Sequence, residues 1–226
     1  MQLQVSWSAE VKKRFPDLMV CIGIINDVRP ERHNDKVEGL KRALYEEVRA
    51  KHSIETLKDN ATVRAYRDFY WKLDIDPTKT RPSGEALLRR VLNGNDLPNI
   101  STIVDAYNLV SMKTMIPMSG FDRDHLKPPL QVRFANNDEA FIGIGMNKPM
   151  SLLEKMLVVA DQKQVLCIYP YRDSDSTKIA MQTKNAVIIG YGALGIPEGH
   201  LKKAVETTLS YIKQVSGGDT EAITVF

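Results

Sequence analysis

The period of the hydrophobic pattern changes near Leu130, and this change limits the fold more than any other feature of the chain. In the first half, apolar residues recur at helical spacing, as in Val37, Leu44 and Val48. From Leu130 onward the apolar runs are short, and polar or glycine-containing turns separate them as in consecutive antiparallel strands. Helices first and strands later predict an α+β fold, with a helical first half packed on a largely antiparallel β layer.

Local signals place the predicted elements. Asp35 with Glu38 forms a capping box that begins a helix, and Ser83 caps a later one. The other predicted helices are Ala61–Leu73, Ile100–Lys113 and Glu198–Val215, and the helix at Ser83 ends at Asn93-Gly94. The predicted strands are Leu3–Trp7, Leu18–Val28, Gln131–Phe134, Ala140–Ile144, Met156–Ala160, Val165–Tyr169, Lys178–Met181 and Ala186–Gly190, with an edge strand at Ala222–Phe226.

Length and composition describe an ordinary globular protein. The 226 residues are 43% hydrophobic and 26% charged, and we expect one domain over 1–226 in which 36–95 form a helical lobe. The sequence shows neither a membrane-spanning apolar run nor a secretory leader, so we expect a cytoplasmic protein. Cys21 and Cys167 lie in apolar runs and are predicted to be buried, reduced thiols. Without clustered His and Cys residues, we expect no metal and no cofactor.

A basic segment between Arg64 and Arg90 is a candidate nucleic-acid surface. It carries seven basic residues against four acidic ones, with aromatic residues between them. The residues predicted to contact phosphate are Arg64, Arg67, Lys79 and Arg81. Charged residues on an amphipathic helix are the alternative, because the solvent face of such a helix is normally rich in Lys and Arg.

Three polar residues lie inside the apolar run of the fourth predicted helix. Asp105, Asn108 and Ser111 are spaced by three, so they share one side of that helix. Burying a polar group without a partner costs on the order of 1–3 kcal/mol. These side chains are therefore expected to bind either the backbone or a ligand.

The same stretch resembles the tRNA-editing domain in the beta subunit of bacterial phenylalanyl-tRNA synthetase, and the chain is closer still to free-standing homologues of that domain. The similarity runs from about Val20 to about Gln214. It implies a three-layer ββα sandwich and a tRNA partner that presents its aminoacylated 3′ end. The residues that carry it are Ile100, Val104, Asp105, Asn108, Pro117, Phe121 and Asp122.

The resemblance also implies site residues on this helix and on the turn expected after it. Asn108 matches an asparagine that lines the synthetase pocket, and Tyr107 stands where the synthetase has threonine. Ser119 replaces a histidine that is implicated in hydrolysis. We therefore predict catalytic roles for Asn108 and Ser119 and a substrate contact for Tyr107, whereas Asp105 and Asp122 are expected to brace the pocket wall.

A second polar cluster, Tyr169–Thr177, resembles a segment of the free-standing homologues. Asp173 is predicted to take part in catalysis or to bind an ammonium group, and Arg172 can hold a phosphate or carboxylate. Ser174 and Thr177 are predicted to contact the substrate. The alternative is a polar turn that caps a hairpin, because Asp and Ser are common turn residues.

Two further features are weaker candidates. His125 follows the proposed turn and is a candidate replacement for the missing imidazole. The glycines of Gly190–Gly195 do not form a phosphate-binding loop, and they favour a strand end that packs closely on its neighbour.

Two functions remain open from the sequence. The first is a trans-acting deacylase that hydrolyses the ester of a mischarged tRNA, with a synthetase as a candidate partner. The second is a non-catalytic module that binds tRNA or an amino acid. The replaced histidine and the small net charge of +3 favour the second. The oligomeric state is open.

Overall fold

The computed structural model describes residues 3–226. Within this range the α-helices are α1 (Ala9–Arg14), α2 (Asp35–Lys51), α3 (Ala61–Lys72), α4 (Ser83–Leu92), α5 (Thr102–Thr114) and α6 (Glu198–Ser216). The strands are β1 (Val5–Trp7), β2 (Val20–Asn26), β3 (Met118–Asp122), β4 (Leu130–Phe134), β5 (Ala140–Phe141), β6 (Met150–Ser151), β7 (Leu157–Ala160), β8 (Val165–Ile168), β9 (Arg172–Asp173), β10 (Ala186–Tyr191), β11 (Asp219–Thr220) and β12 (Thr224–Val225).

The strands form two main sheets and a small hairpin. The first sheet has the order β1-β4-β7-β8-β9, and the second has the order β11-β2-β10-β3 with β12 also paired to β2. Strands β5 and β6 pair separately. All pairings are antiparallel except that between β1 and β4. The predicted α+β class with a largely antiparallel β layer is therefore confirmed.

Strand β10 shows how the layers are stacked. Its alternate residues Val187 and Ile189 belong to a core shared with the first sheet, whereas Ala186 and Ile188 belong to a core shared with the helices. This period of two is what a central strand buried on both faces requires. The layers are thus sheet, sheet and helices, as the predicted ββα sandwich requires.

Glycines let α6 lie close to the second sheet. A Cβ atom added at Gly23 of β2 would lie 2.7 Å from Val205 of α6, and one added at Gly190 of β10 would lie 2.8 Å from the same side chain. Any larger residue at these positions would push the helix away. The close packing predicted for the glycine-rich segment is therefore confirmed at Gly190.

Two predicted helix caps are wrong by one residue. Asn34, and not Asp35, caps α2, since its Oδ1 accepts a hydrogen bond of 3.0 Å from Val37 N. Ser83 is the first residue of α4 and follows Pro82, which makes no side-chain cap. In both cases the helix accommodates the residue in its first turn, where Asp is favoured by the helix dipole and Ser is tolerated.

Three strand predictions differ from the structure. The segment expected to be a turn after α5 is strand β3, which pairs with β10. The predicted strand Lys178–Met181 makes only a bridge from Lys178 to Phe121, and Ala140–Ile144 is a strand only over Ala140–Phe141. Short strands are decided by tertiary pairing, which no local signal contains.

Two residues of the polar row in α5 have structural partners. Asp105 is buried, and its carboxylate accepts hydrogen bonds of 3.0 Å from Lys41 Nζ and from Ile100 N. Ser111 Oγ donates to the carbonyl of Ile116 at 2.7 Å. Asn108 is partly exposed, and its side chain makes no hydrogen bond within the described part of the chain. Asn108 is thus the member of the row that is available to a ligand.

Candidate active site

Two predicted site residues meet where the edges of the two main sheets come together. Ser119 lies on β3, the edge strand of the second sheet, and Asp173 lies on β9, the edge strand of the first. Ser119 Oγ donates a hydrogen bond of 2.5 Å to Asp173 Oδ1. The fold therefore joins a hydroxyl and a carboxylate that are 54 residues apart in the chain.

The Asp173 carboxyl lacks the solvation that keeps an ordinary aspartate acidic. Burial raises its pKa from 3.8 to about 7, although the hydrogen bond from Ser119 works in the opposite direction. Near neutral pH this group is therefore divided between its protonated and ionised forms. A carboxylate with a pKa near the operating pH is well suited to act as a general base.

Tyr191 and Cys167 complete the buried surroundings of this pair, and sequence reasoning missed both. Cys167 lies directly opposite Asp173 in the β8–β9 register, and its Sγ is 3.0 Å from the hydroxyl of Tyr191. Burial raises the pKa of both side chains, so both stay protonated, and either can be the donor in their contact. As predicted, Cys167 and Cys21 are buried, unpaired thiols.

Tyr107 of α5 packs over the strand that carries Ser119. A Cβ added at Gly120 would lie only 2.7 Å from Tyr107 Cε1, so this glycine makes room for the ring. The pKa of Tyr107 is raised by burial and further by the charge of Asp173, which indicates that the two are close. Gly120 and Ser119 are consecutive in β3 and therefore face opposite sides of the sheet, so Tyr107 packs on the helix side of this strand. Substrate contacts by Tyr107 and by Asn108, its neighbour along the helix, stay predictions.

Arg172 is exposed and free to meet a ligand. Its side chain packs against Gly143, where an added Cβ would lie 2.6 Å from Arg172 Cδ. Its guanidinium group makes no ion pair among residues 3–226. Arg172 can therefore hold the charge of a substrate.

Ser174 and Thr177 are placed as parts of a turn. Ser174 is buried and caps the short turn Asp175–Thr177, where its Oγ lies 2.9 Å from Ser176 Oγ. Thr177 is fully buried, and its hydroxyl has no hydrogen-bond partner within residues 3–226. Ser174 also lines a groove of about 510 Å³ whose apolar wall includes Phe141 and Ile142. Substrate contacts by Ser174 and Thr177 stay predictions.

His125 does not join the cluster. It lies exposed on the short turn Arg123–His125, and its ring makes no side-chain hydrogen bond or ion pair within the described chain. By contrast, Asp122 is buried and accepts from Thr183 Oγ1 at 2.7 Å, which gives it the bracing role that the sequence predicted.

The predicted phosphate-contacting residues differ in their surroundings. Arg64, Lys79 and Arg81 are exposed, and the side chain of Lys79 is 84% accessible. Arg67 Nε donates at 2.8 Å to the buried carboxylate of Glu85 on α4. The guanidinium of Arg67 therefore braces α3 against α4, and a contact with nucleic acid remains a prediction for all four residues.

Two kinds of feature are absent from the described residues. No helix among them is both long enough and apolar enough to cross a membrane. No group of three or more His, Cys, Asp or Glu side chains within residues 3–226 has an arrangement that would hold a metal ion.

Comparisons with known proteins give a consistent result. The family model described as the B3/4 domain matches residues 65–217, which is more than half of the chain. The beta subunit of phenylalanine–tRNA ligase from Haemophilus ducreyi is 32% identical over 90 residues, covering 40% of this chain and 11% of the subunit. The corresponding subunit from Fusobacterium nucleatum subsp. nucleatum is 26% identical over 185 residues, which cover 81% of this chain and 22% of the subunit. The chain thus spans less than a quarter of the length of these relatives.

A solved structure shows the same fold. The chain superposes on an N-terminal fragment of the phenylalanyl-tRNA synthetase beta subunit from Pyrococcus horikoshii with a TM-score of 0.53 and 14% identity. The superposition covers 97% of this chain and 50% of that fragment.

Proposed function

The chain belongs to the B3/4 domain family, and from this premise we propose that it is a trans-acting deacylase that hydrolyses the ester of a mischarged tRNA. The relatives are named as subunits of a ligase that joins an amino acid to tRNA. An aminoacyl-tRNA is accordingly the proposed substrate, a synthetase is the proposed source of it, and the cytoplasm is the proposed location.

The observation that carries the proposal is the Ser119–Asp173 pair. Ester hydrolysis needs a base that removes a proton from water as the water oxygen attacks the carbonyl carbon. Ionised Asp173 accepts that proton, and Ser119 Oγ, held 2.5 Å away, orients the water. The ester C–O bond then breaks, and the ribose oxygen takes the proton back, leaving a free amino acid and an uncharged tRNA.

Substrate contacts are proposed for three further residues. The free amide of Asn108 can donate to the ester carbonyl or to the water. Tyr107 offers an apolar wall, and Arg172 offers a cation for a nearby phosphate or carboxylate. The exposed Arg64, Lys79 and Arg81 supply sequence-independent contacts to the tRNA backbone.

A non-catalytic tRNA-binding or amino-acid-binding module is the second candidate, and one observation favours it. Ser119 is only 4% exposed. A buried hydroxyl that donates to Asp173 can serve to hold two sheet edges together. In that case Asp173 holds the fold and does not activate water.

Deacylation of a panel of misacylated tRNAs separates the two functions. The wild-type chain, Ser119→Ala and Asp173→Asn are compared, with Asp175→Asn as the matched control, because the side chain of Asp175 is 43% accessible and pairs with Lys178 at 2.6 Å. The deacylase proposal predicts release from at least one member, at least about 100-fold slower in both site variants and unchanged in the control. Binding without release from any member supports the module and contradicts the deacylase.

A further inference from the structure

A second cavity lies away from the Ser119–Asp173 pair and shares no lining residue with it. The cavity has a volume of about 380 Å³ and opens between the N-terminus of α3, the C-terminus of α5 and the first half of α6. Ligand pockets typically range from about 300 to 1,000 Å³. The space is therefore sufficient for one small organic ligand or one unit of a polymer.

The floor of this cavity is apolar. It consists of Ile116, Ile196 and Ala204, which are all buried. An apolar floor between helices favours a flat, poorly hydrated group, because such a group releases water from both surfaces when it binds. A bare inorganic ion would gain nothing from these three side chains.

The rim carries basic side chains. Lys113, His200 and Lys203 line it, and no acidic side chain is among the described residues that line the cavity. Lys113 Nζ forms an ion pair of 2.8 Å with Glu47 of α2. Lys203 is 78% accessible, and its Nζ is no closer than 3.9 Å to its acidic partner Glu206. Lys203 is therefore the cation with most freedom to meet a ligand, and it favours an anion.

Hydroxyl groups supply acceptors beside these cations. Thr114 Oγ1 donates to the carbonyl of Val110, and Thr207 Oγ1 donates to the carbonyl of Lys203, both at 2.8 Å. Each hydroxyl has thereby used its proton, so its oxygen can only accept from a ligand. The cavity thus offers cations, acceptors and an apolar floor in one place.

We propose that this cavity binds a nucleoside monophosphate unit. The phosphate meets Lys203 and His200, the base lies on the apolar floor, and ribose or base N–H and O–H groups donate to Thr114 and Thr207. A free amino acid fits less well, because its ammonium group would find no carboxylate in the lining. The unit is either a free nucleotide or one nucleotide of a single-stranded RNA, and the proposal does not depend on hydrolysis at Asp173.

The test uses AMP as the probe, with adenosine for comparison, and measures the dissociation constant by calorimetry. The variants are Lys203→Glu, which reverses the free rim charge, and Thr207→Phe, which fills the cavity from a partly exposed position. Lys202→Glu is the matched control, because Lys202 is exposed on the same helix and does not line the cavity. Thermal unfolding midpoints establish that each variant is folded.

The expected result is saturable AMP binding that weakens at least about tenfold in Lys203→Glu and in Thr207→Phe, with less than about twofold change in Lys202→Glu. Adenosine should bind at least about tenfold more weakly than AMP, because it lacks the phosphate. If the unit belongs to RNA, tRNA competes with AMP and its affinity falls in the same two variants. If the source is a free nucleotide, tRNA binding is unchanged.

Absence of AMP binding to the folded wild-type chain would overturn the proposal, as would equal binding by the two variants and the control. Its failure can be told apart from failure of the deacylase, since deacylation is measured on Ser119→Ala and Asp173→Asn, whose residues do not line this cavity.

Discussion

At the scale of single residues, Asp173 is a carboxyl that the fold holds in an unfavourable environment. Its pKa of about 7 results from burial, and Ser119 is its hydrogen-bond partner. A buried carboxyl without a cation costs stability once it ionises. Strongly raised pKa values of this kind are concentrated at functional sites, where the cost is retained for chemistry.

The stability of the protein should therefore depend on pH through Asp173. Its pKa is about 7 when folded and near 3.8 when unfolded, so the folded state binds the proton more tightly between these values. The stabilising contribution is complete below pH 3.8 and is lost as the pH rises through about 7. Asp173→Asn keeps an acceptor for Ser119 and cannot ionise.

The free energy of unfolding of Asp173→Asn minus that of the wild type should therefore increase between pH 5 and pH 8. We expect an increase on the order of 1–3 kcal/mol. Urea unfolding at both pH values measures this, and Asp175→Asn is the control. If the difference in unfolding free energy between Asp173→Asn and the wild type is the same at both pH values, ionised Asp173 does not destabilise the fold.

Sequence reasoning named Ser119 and Asp173, but it did not pair them with Tyr191 and Cys167. Ser119 was identified because it replaces a family histidine, and Asp173 because it lies in a polar cluster. Tyr191 and Cys167 lie in or beside apolar, strand-like segments, which predict buried core residues. Their polar atoms lie near the pair only because the edges of the two sheets converge. This convergence depends on tertiary packing, which local sequence patterns do not reveal.

At the scale of elements, α5 carries two of the proposed site residues, Tyr107 and Asn108. A buried ion pair between Lys41 of α2 and Asp105 of α5 fixes this helix on one side, with 3.0 Å between Lys41 Nζ and Asp105 Oδ2. On the other side Tyr107 lies over Gly120 of β3. The position of Asn108 relative to Ser119 therefore depends on both contacts.

Removing one partner of the buried ion pair should be costly. Asp105→Ala takes the nearest carboxylate from Lys41, which is only 3% exposed and keeps Glu38 at 3.4 Å. It also removes the acceptor for Ile100 N. The expected loss of unfolding free energy is at most about 3–5 kcal/mol, the range for a buried charge left unpaired. Urea unfolding measures it against Asp68→Ala, where the carboxylate is exposed. Similar midpoints for the two variants would mean that the pair does not hold α5.

Gly120→Ala tests whether Tyr107 must lie against β3. The new Cβ would lie 2.7 Å from Tyr107 Cε1 and 3.1 Å from Ile179, so the ring must move. We expect a loss of about 1–3 kcal/mol in stability and a larger loss of deacylation. Gly39→Ala is the matched control, because no atom lies within 4 Å of its added Cβ, and it should stabilise α2. Full activity in folded Gly120→Ala would remove Tyr107 from the site.

Helices were predicted better than strands, and the reason is physical. The bounds of α3 and α6 lie within one residue of the prediction, because helical periodicity and end signals are local. Strand β3 was missed because its partner β10 begins more than 60 residues later in the chain. The strand β9, which carries Asp173, was missed for another reason: it is only two residues long, although its partner β8 ends at Ile168.

At the scale of the whole molecule, the weak net charge of +3 makes the distribution of cations decisive for tRNA binding. Arg64, Lys79 and Arg81 are exposed on or near α3 and α4, whereas Arg67 is engaged by Glu85. The proposed contacts are electrostatic and should therefore weaken with added salt.

The variant Lys79→Ala with Arg81→Ala should weaken tRNA binding at low salt. It should also reduce the slope of log affinity against log salt by about 0.7–0.9 for each lost phosphate contact. Fluorescence anisotropy with labelled tRNA measures both quantities. Lys148→Ala with Lys163→Ala is the matched control, because both lysines are exposed outside this surface. Equal slopes for the two double variants would exclude the proposed contacts.

The most direct test of the deacylase account is the pH dependence of single-turnover release from the panel member that reacts fastest. The wild-type rate should rise about tenfold per pH unit below about pH 7 and level off above it, because ionised Asp173 is the base. Asp173→Asn should be slow and nearly independent of pH, whereas Asp175→Asn should follow the wild type. A wild-type rate without this inflection, or an Asp173→Asn variant that keeps it, would contradict the assignment of Asp173 as the base.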